Sequence, residues 1–152
     1  MDDQERMTKA ERLYVAGQGP SHQGSPARAR PKALSVRQPW ASLIASGRKS
    51  IELRSWATTY RGPLLVCSGS ALWRGADYPI GPRGVALCWV RLVDVREATP
   101  EDETAACLLP PPDYRYAWVL DSPRPVREAS VKGRLGLWTP DDALLEAVGW
   151  ES

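Results

Sequence analysis

Arg37, Gln38, Lys49, Glu52 and Arg54 bring three cations, an amide and one carboxylate into a short stretch of chain. Such groups can donate to phosphate, sugar or base edges, while a lone carboxylate can accept from a base or orient Lys49. Arginine suits this chemistry because its planar guanidinium presents paired donors to phosphates and base edges. Across residues 34–61, Arg37, Arg48, Lys49, Arg54 and Arg61 face the single acid Glu52, a local surplus of four positive charges. The bland alternative is a solvated face carrying a Glu52–Arg54 or Glu52–Lys49 ion pair, which contributes little on a surface. Just downstream, Trp56 and Tyr60 offer rings that could stack on a base, and Arg61 adds a further phosphate donor.

These groups need a scaffold. Trp40, Leu43 and Ile44 fall at i, i+3 and i+4, which predicts a helix with one apolar stripe, stopped by Gly47. Ala33 to Arg37 predicts a strand before it. Ser50 to Ser55 predicts a strand after it, with Ile51 and Leu53 on one face and Glu52 and Arg54 on the other. A strand–helix–strand unit can bring its two polar ends together.

The rest reads as short strands punctuated by Gly and Pro. Leu64 to Cys67 is a buried strand. Gly84 to Val95 is the clearest, with Val85, Leu87, Trp89, Val93 and Val95 sharing a face broken by Arg91. Tyr116 to Leu120 and Val131 to Trp138 complete the set. Ser70 to Gly81 reads as irregular, Pro110 to Pro112 as a stiff loop, and Pro123 with Pro125 as a bend. Thr99-Pro100-Glu101 and Thr139-Pro140-Asp141-Asp142 carry helix-start chemistry, and Gly149 stops the last helix. About six short strands with a few short helices predict an α+β domain built on a small β-barrel. It should span residues 32–152, preceded by a flexible tail at 1–31, whose start could form a short, weak helix.

Composition excludes several classes. The 152 residues carry a net charge of only +2. Cys67, Cys88 and Cys107 form no CxxC pair and His22 is the only histidine, so neither a zinc site nor a disulfide framework is expected. No metal or cofactor is implied. No apolar run is long enough to span a bilayer, and no signal peptide is visible, so the expected address is the cytoplasm. Oligomeric state is not encoded in any pattern we recognise.

The block Leu34-Ser35-Val36-Arg37-Gln38-Pro39-Trp40-Ala41-Ser42-Leu43, followed by Gly47, Lys49, Glu52 and Arg54, resembles the ASCH (activating signal cointegrator homology) family and its G-x-K-x-x-E-x-R signature. Trp56, Tyr60, Arg61 and Gly62-Pro63-Leu64 continue the likeness. Gly84 to Val95 is similar to the family's long central strand, and Val131-Lys132-Gly133 with Trp138 to its closing strand. The resemblance implies a PUA-like fold with a cleft lined by the signature, and a role in binding RNA or nucleotides. It also implies two enzymatic precedents. Amidohydrolases acting on an acylated cytidine use a Lys, a Thr and a Glu. Their Lys falls on Lys49, but Glu52 stands at the Thr position and the Glu falls near Arg91. A ribonuclease relative depends on Lys, Tyr and Ser, for which Lys49, Tyr60 and Ser68 are the candidates. Many relatives carry His-Ala-Ser where this chain has Cys67-Ser68-Gly69, so a histidine general base is missing from the domain.

The reading that follows is a binding module for RNA or a nucleotide, with DNA as a further candidate. Lys49, Arg54, Arg37 and Arg61 would contact phosphates, Glu52 and Gln38 a base or sugar edge, and Trp56 or Tyr60 would stack. The alternative is a metal-independent enzyme on RNA or modified nucleosides, with Lys49 as activated amine or charge stabiliser and Glu52 as acid/base. A third, a protein-interaction domain, would need an exposed apolar patch larger than the cleft.

Overall fold

The computed structural model describes residues 30–151. The expected tail therefore lies, except for Arg30 and Pro31, outside the described residues. Those two are already attached: Pro31 is buried, and Arg30 donates to Pro140 O at 3.0 Å and pairs with Asp142 at 2.8 Å. Arg30 and Pro31, read from composition as part of the tail, are thus anchored to the domain.

Among the described residues, six strands form one mixed sheet. They are β1 (Lys32–Gln38), β2 (Ile51–Arg54), β3 (Gly62–Leu72), β4 (Val85–Glu97), β5 (Tyr116–Ser130) and β6 (Leu137–Trp138). Their order is β2-β5-β4-β3-β1-β6. β1 and β3 run parallel and the other neighbours antiparallel. The α+β class and the number of strands agree with the sequence. The barrel does not close, because the edge strands β2 and β6 are not hydrogen-bonded to each other. Helix α1 (Trp40–Ala45) links β1 to β2, α2 (Glu103–Ala106) follows a 3-10 turn at Pro100–Asp102, and α3 (Asp142–Ala147) comes last.

The middle of the sheet is buried on both faces. On one face Leu34, Val36, Leu64, Val66, Cys88 and Val90 pack under Trp40, Leu43 and Ile44 of α1. On the other, Ala33, Leu65, Cys67, Ala86 and Trp89 pack under Leu145 and Val148. This explains the unbroken apolar run Leu64 to Cys67, since a strand covered twice has no polar side. The two-sided burial also raises the thiols of Cys67 and Cys88 to about 12, leaving them protonated and inert.

Several expected boundaries move. Strict alternation in β4 fails: Val93 is exposed while Leu92 is buried, because register shifts between Trp89/Arg91 and Leu92/Asp94 reset which face each residue meets. Ser70 to Leu72 extend β3 into the stretch read as irregular. Pro123 and Pro125 lie inside β5, not at its end. They are tolerated because β2 pairs only with Tyr116 to Val119, so the far half of β5 is an edge with no second neighbour to receive an N–H. Val131 to Gly136 form a loop, and only Leu137–Trp138 pair with β1. Gly47 follows α1 with φ +85°, and Gly149 follows α3 with φ +71°, as stop signals should. Asp141 caps α3, its carboxylate accepting from Leu144 N at 2.8 Å.

Candidate functional site

A cleft of about 760 Å3 opens beside β1, β2 and the loop 131–136. Small-ligand sites typically occupy about 300–1,000 Å3. Its position follows from the register of β2. Ile51 and Leu53 pack with Ala106 and Ala117 in a separate apolar cluster, so Glu52 and Arg54 fall on the opposite face of the strand and line the cleft.

The floor is an ionic network. The N–H of Lys49 is fixed just past α1 by Leu43 O at 3.0 Å. Its side chain is 1% exposed. Lys49 Nζ donates to Ala106 O, the last carbonyl of α2, at 2.5 Å, and lies 3.7 Å from Glu52 Oε1. This is the role a lysine takes at a helix C-terminus, where the final carbonyls lack partners. Lys49 Nζ also sits 5.0 Å from the Trp40 ring centre. Glu52 Oε2 accepts from Arg54 Nε at 3.1 Å, and Arg54 reaches over to Ser35 O on β1 at 2.7 Å. That bond ties the signature strand to the start of the domain. Burial pushes the Lys49 ammonium below its ordinary value; Glu52 and then Cys107 offset this only in part.

The rim is different. Arg37, Lys132 and Arg134 are exposed and line the opening. Among the described residues none of the three enters an ion pair. With Lys49 and Arg54, five cations line the cleft against one carboxylate, Glu52.

Of the side chains singled out from sequence, the cleft brings together Arg37, Lys49, Glu52, Arg54 and Trp56, but not Gln38, Tyr60 or Arg61. Gln38 is fully buried. Its Nε2 donates to Ser42 Oγ and Pro82 O at 2.8 and 2.7 Å, and its Oε1 accepts from Ser42 N at 3.0 Å. It is a structural brace behind the site. The Tyr60 hydroxyl donates to Pro63 O at 2.5 Å and its ring is in the core. Arg61 turns to Thr58 O and Tyr60 O at 2.9 and 2.8 Å, with Asp94 at 3.7 Å. Trp56 is 2% exposed and packs edge-on against Trp118 at 4.7 Å. Ser68 reaches the cleft, but its hydroxyl is held by the Val85 N–H and C=O, both at 3.3 Å. The Lys–Tyr–Ser set of the ribonuclease precedent is therefore not assembled around the cleft, since Tyr60 lies outside it.

Sequence reasoning missed two aromatic residues that do line the cleft, Trp73 and Tyr114, and the cation Arg134 at its rim; Lys132, which the sequence offered as a phosphate contact or a solvated lysine, also lines it. Trp73 lies in a segment read as irregular, and Tyr114 follows the proline run, so neither carried a periodic signal. Three buried side-chain polar atoms among the described residues lack a partner: Ser35 Oγ, Trp40 Nε1 and Trp138 Nε1. Two of them belong to residues lining the cleft, the kind of place where unmet hydrogen bonding calls for an explanation.

The ASCH domain family model matches residues 34–129. The chain belongs to the ASCH domain family. ASCH relatives include activating signal cointegrator 1 from Homo sapiens and from Mus musculus, each 28% identical over 130 residues, covering 73% of this chain and 22% of theirs. The chain thus spans about a fifth of those proteins. Among solved structures, the ASCH protein of Zymomonas mobilis superposes with a TM-score of 0.56 at 13% identity, covering 79% of this chain and 94% of that one. A variant of that protein with a tyrosine changed to phenylalanine gives 0.54 at 12% identity, covering 78% and 95%. The likeness fixes the ASCH fold, consistent with the PUA-like superfamily. No helix among the described residues is long and apolar enough to cross a membrane.

Proposed function

We propose that this ASCH domain binds RNA or a nucleotide in the cleft above Lys49, Glu52 and Arg54. The observation that carries the reading is the division of charge. A buried ionic floor underlies a nucleotide-sized hollow, and cations without an ionic partner among the described residues stand at its mouth, where phosphates would pass. Phosphate contacts are assigned to Arg37, Lys132 and Arg134. Lys49 and Arg54 hold the floor, and Glu52 offers its carboxylate edge. DNA is compatible with the same chemistry, and a cytoplasmic address belongs to the same reading. The test is fluorescence anisotropy with labelled single-stranded RNA from about 50 to 200 mM salt. Affinity should fall linearly on a log–log scale, because each neutralised phosphate releases counterions. Absence of binding to RNA, DNA and nucleotides at the lowest salt would refute it.

One observation favours a second reading. Lys49 combines a desolvated amine with a lowered pKa and a neighbouring carboxylate, which is how a lysine is prepared for nucleophilic or general-base work. That reading predicts turnover of an RNA or an acylated nucleoside, lost in Lys49→Ala and in Glu52→Gln. A broad substrate panel yielding no product removes it.

A further inference from the structure

The aromatic residues around the cleft are not equivalent. Trp40 is enclosed: Lys49 Nζ sits over its ring, and Trp73 and Tyr78 meet it edge-on at 5.8 Å. Trp56 is sealed against Trp118, and Tyr60 lies outside the cleft. Trp73 and Tyr114 remain. Both are half-buried, both line the cleft, and their ring centres are 5.4 Å apart at an inclination of 53°. The two rings meet at an angle and are not stacked face to face, and among the described residues no cation lies over either.

Both rings are held in place by backbone bonds. Trp73 N donates to Gln38 O at 2.8 Å, immediately before α1. Tyr114 N donates to Pro111 O at 2.9 Å, inside the stiff proline run. Aromatic surface fixed in this way can receive a planar ligand with little loss of freedom. Leu108 adds apolar surface beside them, while Lys132 and Arg134 stand on the loop 131–136 at the opening.

We propose that the cleft receives one unpaired base of a single-stranded nucleic acid at Trp73 and Tyr114, stacked on one ring and meeting the other at an angle, with adjoining phosphates on Arg37, Lys132 and Arg134. This rests on the nucleic-acid reading above and adds the form of the ligand and the residues that select it. A base inside a duplex has both faces stacked and its pairing edge engaged, so it cannot enter an aromatic-walled hollow while its phosphates stay at the mouth. A single strand presents both at once.

Three probes separate the outcomes: a fluorescein-labelled single-stranded RNA decamer, the DNA strand of the same sequence, and the RNA annealed to its complement. The strands should bind and the duplex should bind at least tenfold more weakly. Trp73→Leu and Tyr114→Leu keep apolar bulk but remove the ring. Each should weaken strand binding roughly 5- to 150-fold, the range expected for losing one stacked base, with Trp73→Tyr and Tyr114→Phe restoring most of it. Thermal melts check folding. If Trp73→Leu unfolds, Tyr114→Leu and decamers with one abasic position decide: a loss confined to one position supports the insertion of a single base. Binding that depends on the rim cations but is indifferent to both rings, or equal for duplex and strand, overturns the inference and leaves the proposed function standing. Binding of free nucleotides alone also overturns it. No binding of any probe removes both.

Discussion

Floor and rim of the cleft use the same kinds of side chain for opposite purposes. Lys49 and Arg54 are withdrawn from water, joined to Glu52, and spent on carbonyls of α2 and β1. Arg37, Lys132 and Arg134 are exposed and without ionic partners among the described residues. The difference teaches that a conspicuous cationic motif can be spent on the fold itself, which on the proposed reading leaves the phosphate contacts to other cations. Charges bonded to the fold shape a site, and charges left to solvent attract what enters it.

The largest expected effect lies on the floor. Glu52→Ala strands two cations with little access to water, and breaking such a buried network typically costs about 3–5 kcal/mol. Urea denaturation should register that loss; a change below about 1 kcal/mol would mean that the floor is not an ionic unit. Neutralising the rim should do the reverse. The triple variant Arg37→Ala, Lys132→Ala, Arg134→Ala should weaken strand binding by at least about tenfold and lower the salt slope by about 2–3. Its stability should stay within about 0.5 kcal/mol of the parent. A smaller disturbance should come from behind the wall. A Cβ at Gly81 would meet Ser42 Oγ at 2.1 Å and Gln38 Nε2 at 2.8 Å, so Gly81→Ala should cost about 1–3 kcal/mol through overpacking of the Gln38 brace, measured by thermal unfolding.

The smallest effect is the pH response of Lys49. Its folded pKa is lowered by burial, so between that value and the ordinary one the unfolded chain binds more protons than the fold. Below this window Lys49 is charged in both states and the fold bears the full cost of keeping a charge out of water. Stability should therefore rise with pH across the window. Other groups titrate there too, so the measured quantity is the difference between the parent and Lys49→Met. The parent should gain on the variant as pH rises toward 10.5; a constant difference would contradict the shift.

Much of the scaffold was legible because it is written in local period. The stripe Trp40, Leu43, Ile44, the stop at Gly47 and the alternation across Ile51 to Arg54 each depend on neighbours a few residues away. What escaped depends on distant pairing. The bulges of β4 are set by β5 and move Val93 to the surface. The edge position that permits Pro123 and Pro125 exists only because β2 is short. The same holds for the site. The signature's convergence on one cleft followed from its spacing, whereas Gln38, Tyr60 and Arg61 sat close in sequence but turned to backbone carbonyls and other buried partners. Trp73 and Tyr114 belong to loops, and nothing in their immediate sequence announced that they would meet.

The loop 131–136 is held at both ends by main-chain bonds. Val131 N donates to Gly84 O at 2.9 Å, and Leu137 and Trp138 pair with Leu34 and Ala33. It also lies beyond the stretch matched by the family model, which stops at residue 129. Val131 and Trp138 also anchor it in the second apolar cluster, and Arg134 lies over the Trp138 ring, but the main-chain bonds at its ends do not involve the side chains of residues 132–135. On the proposed reading, Lys132, Arg134 and Leu135 are replaceable parts on a fixed mount, where selectivity can diverge while the hollow beneath keeps its shape.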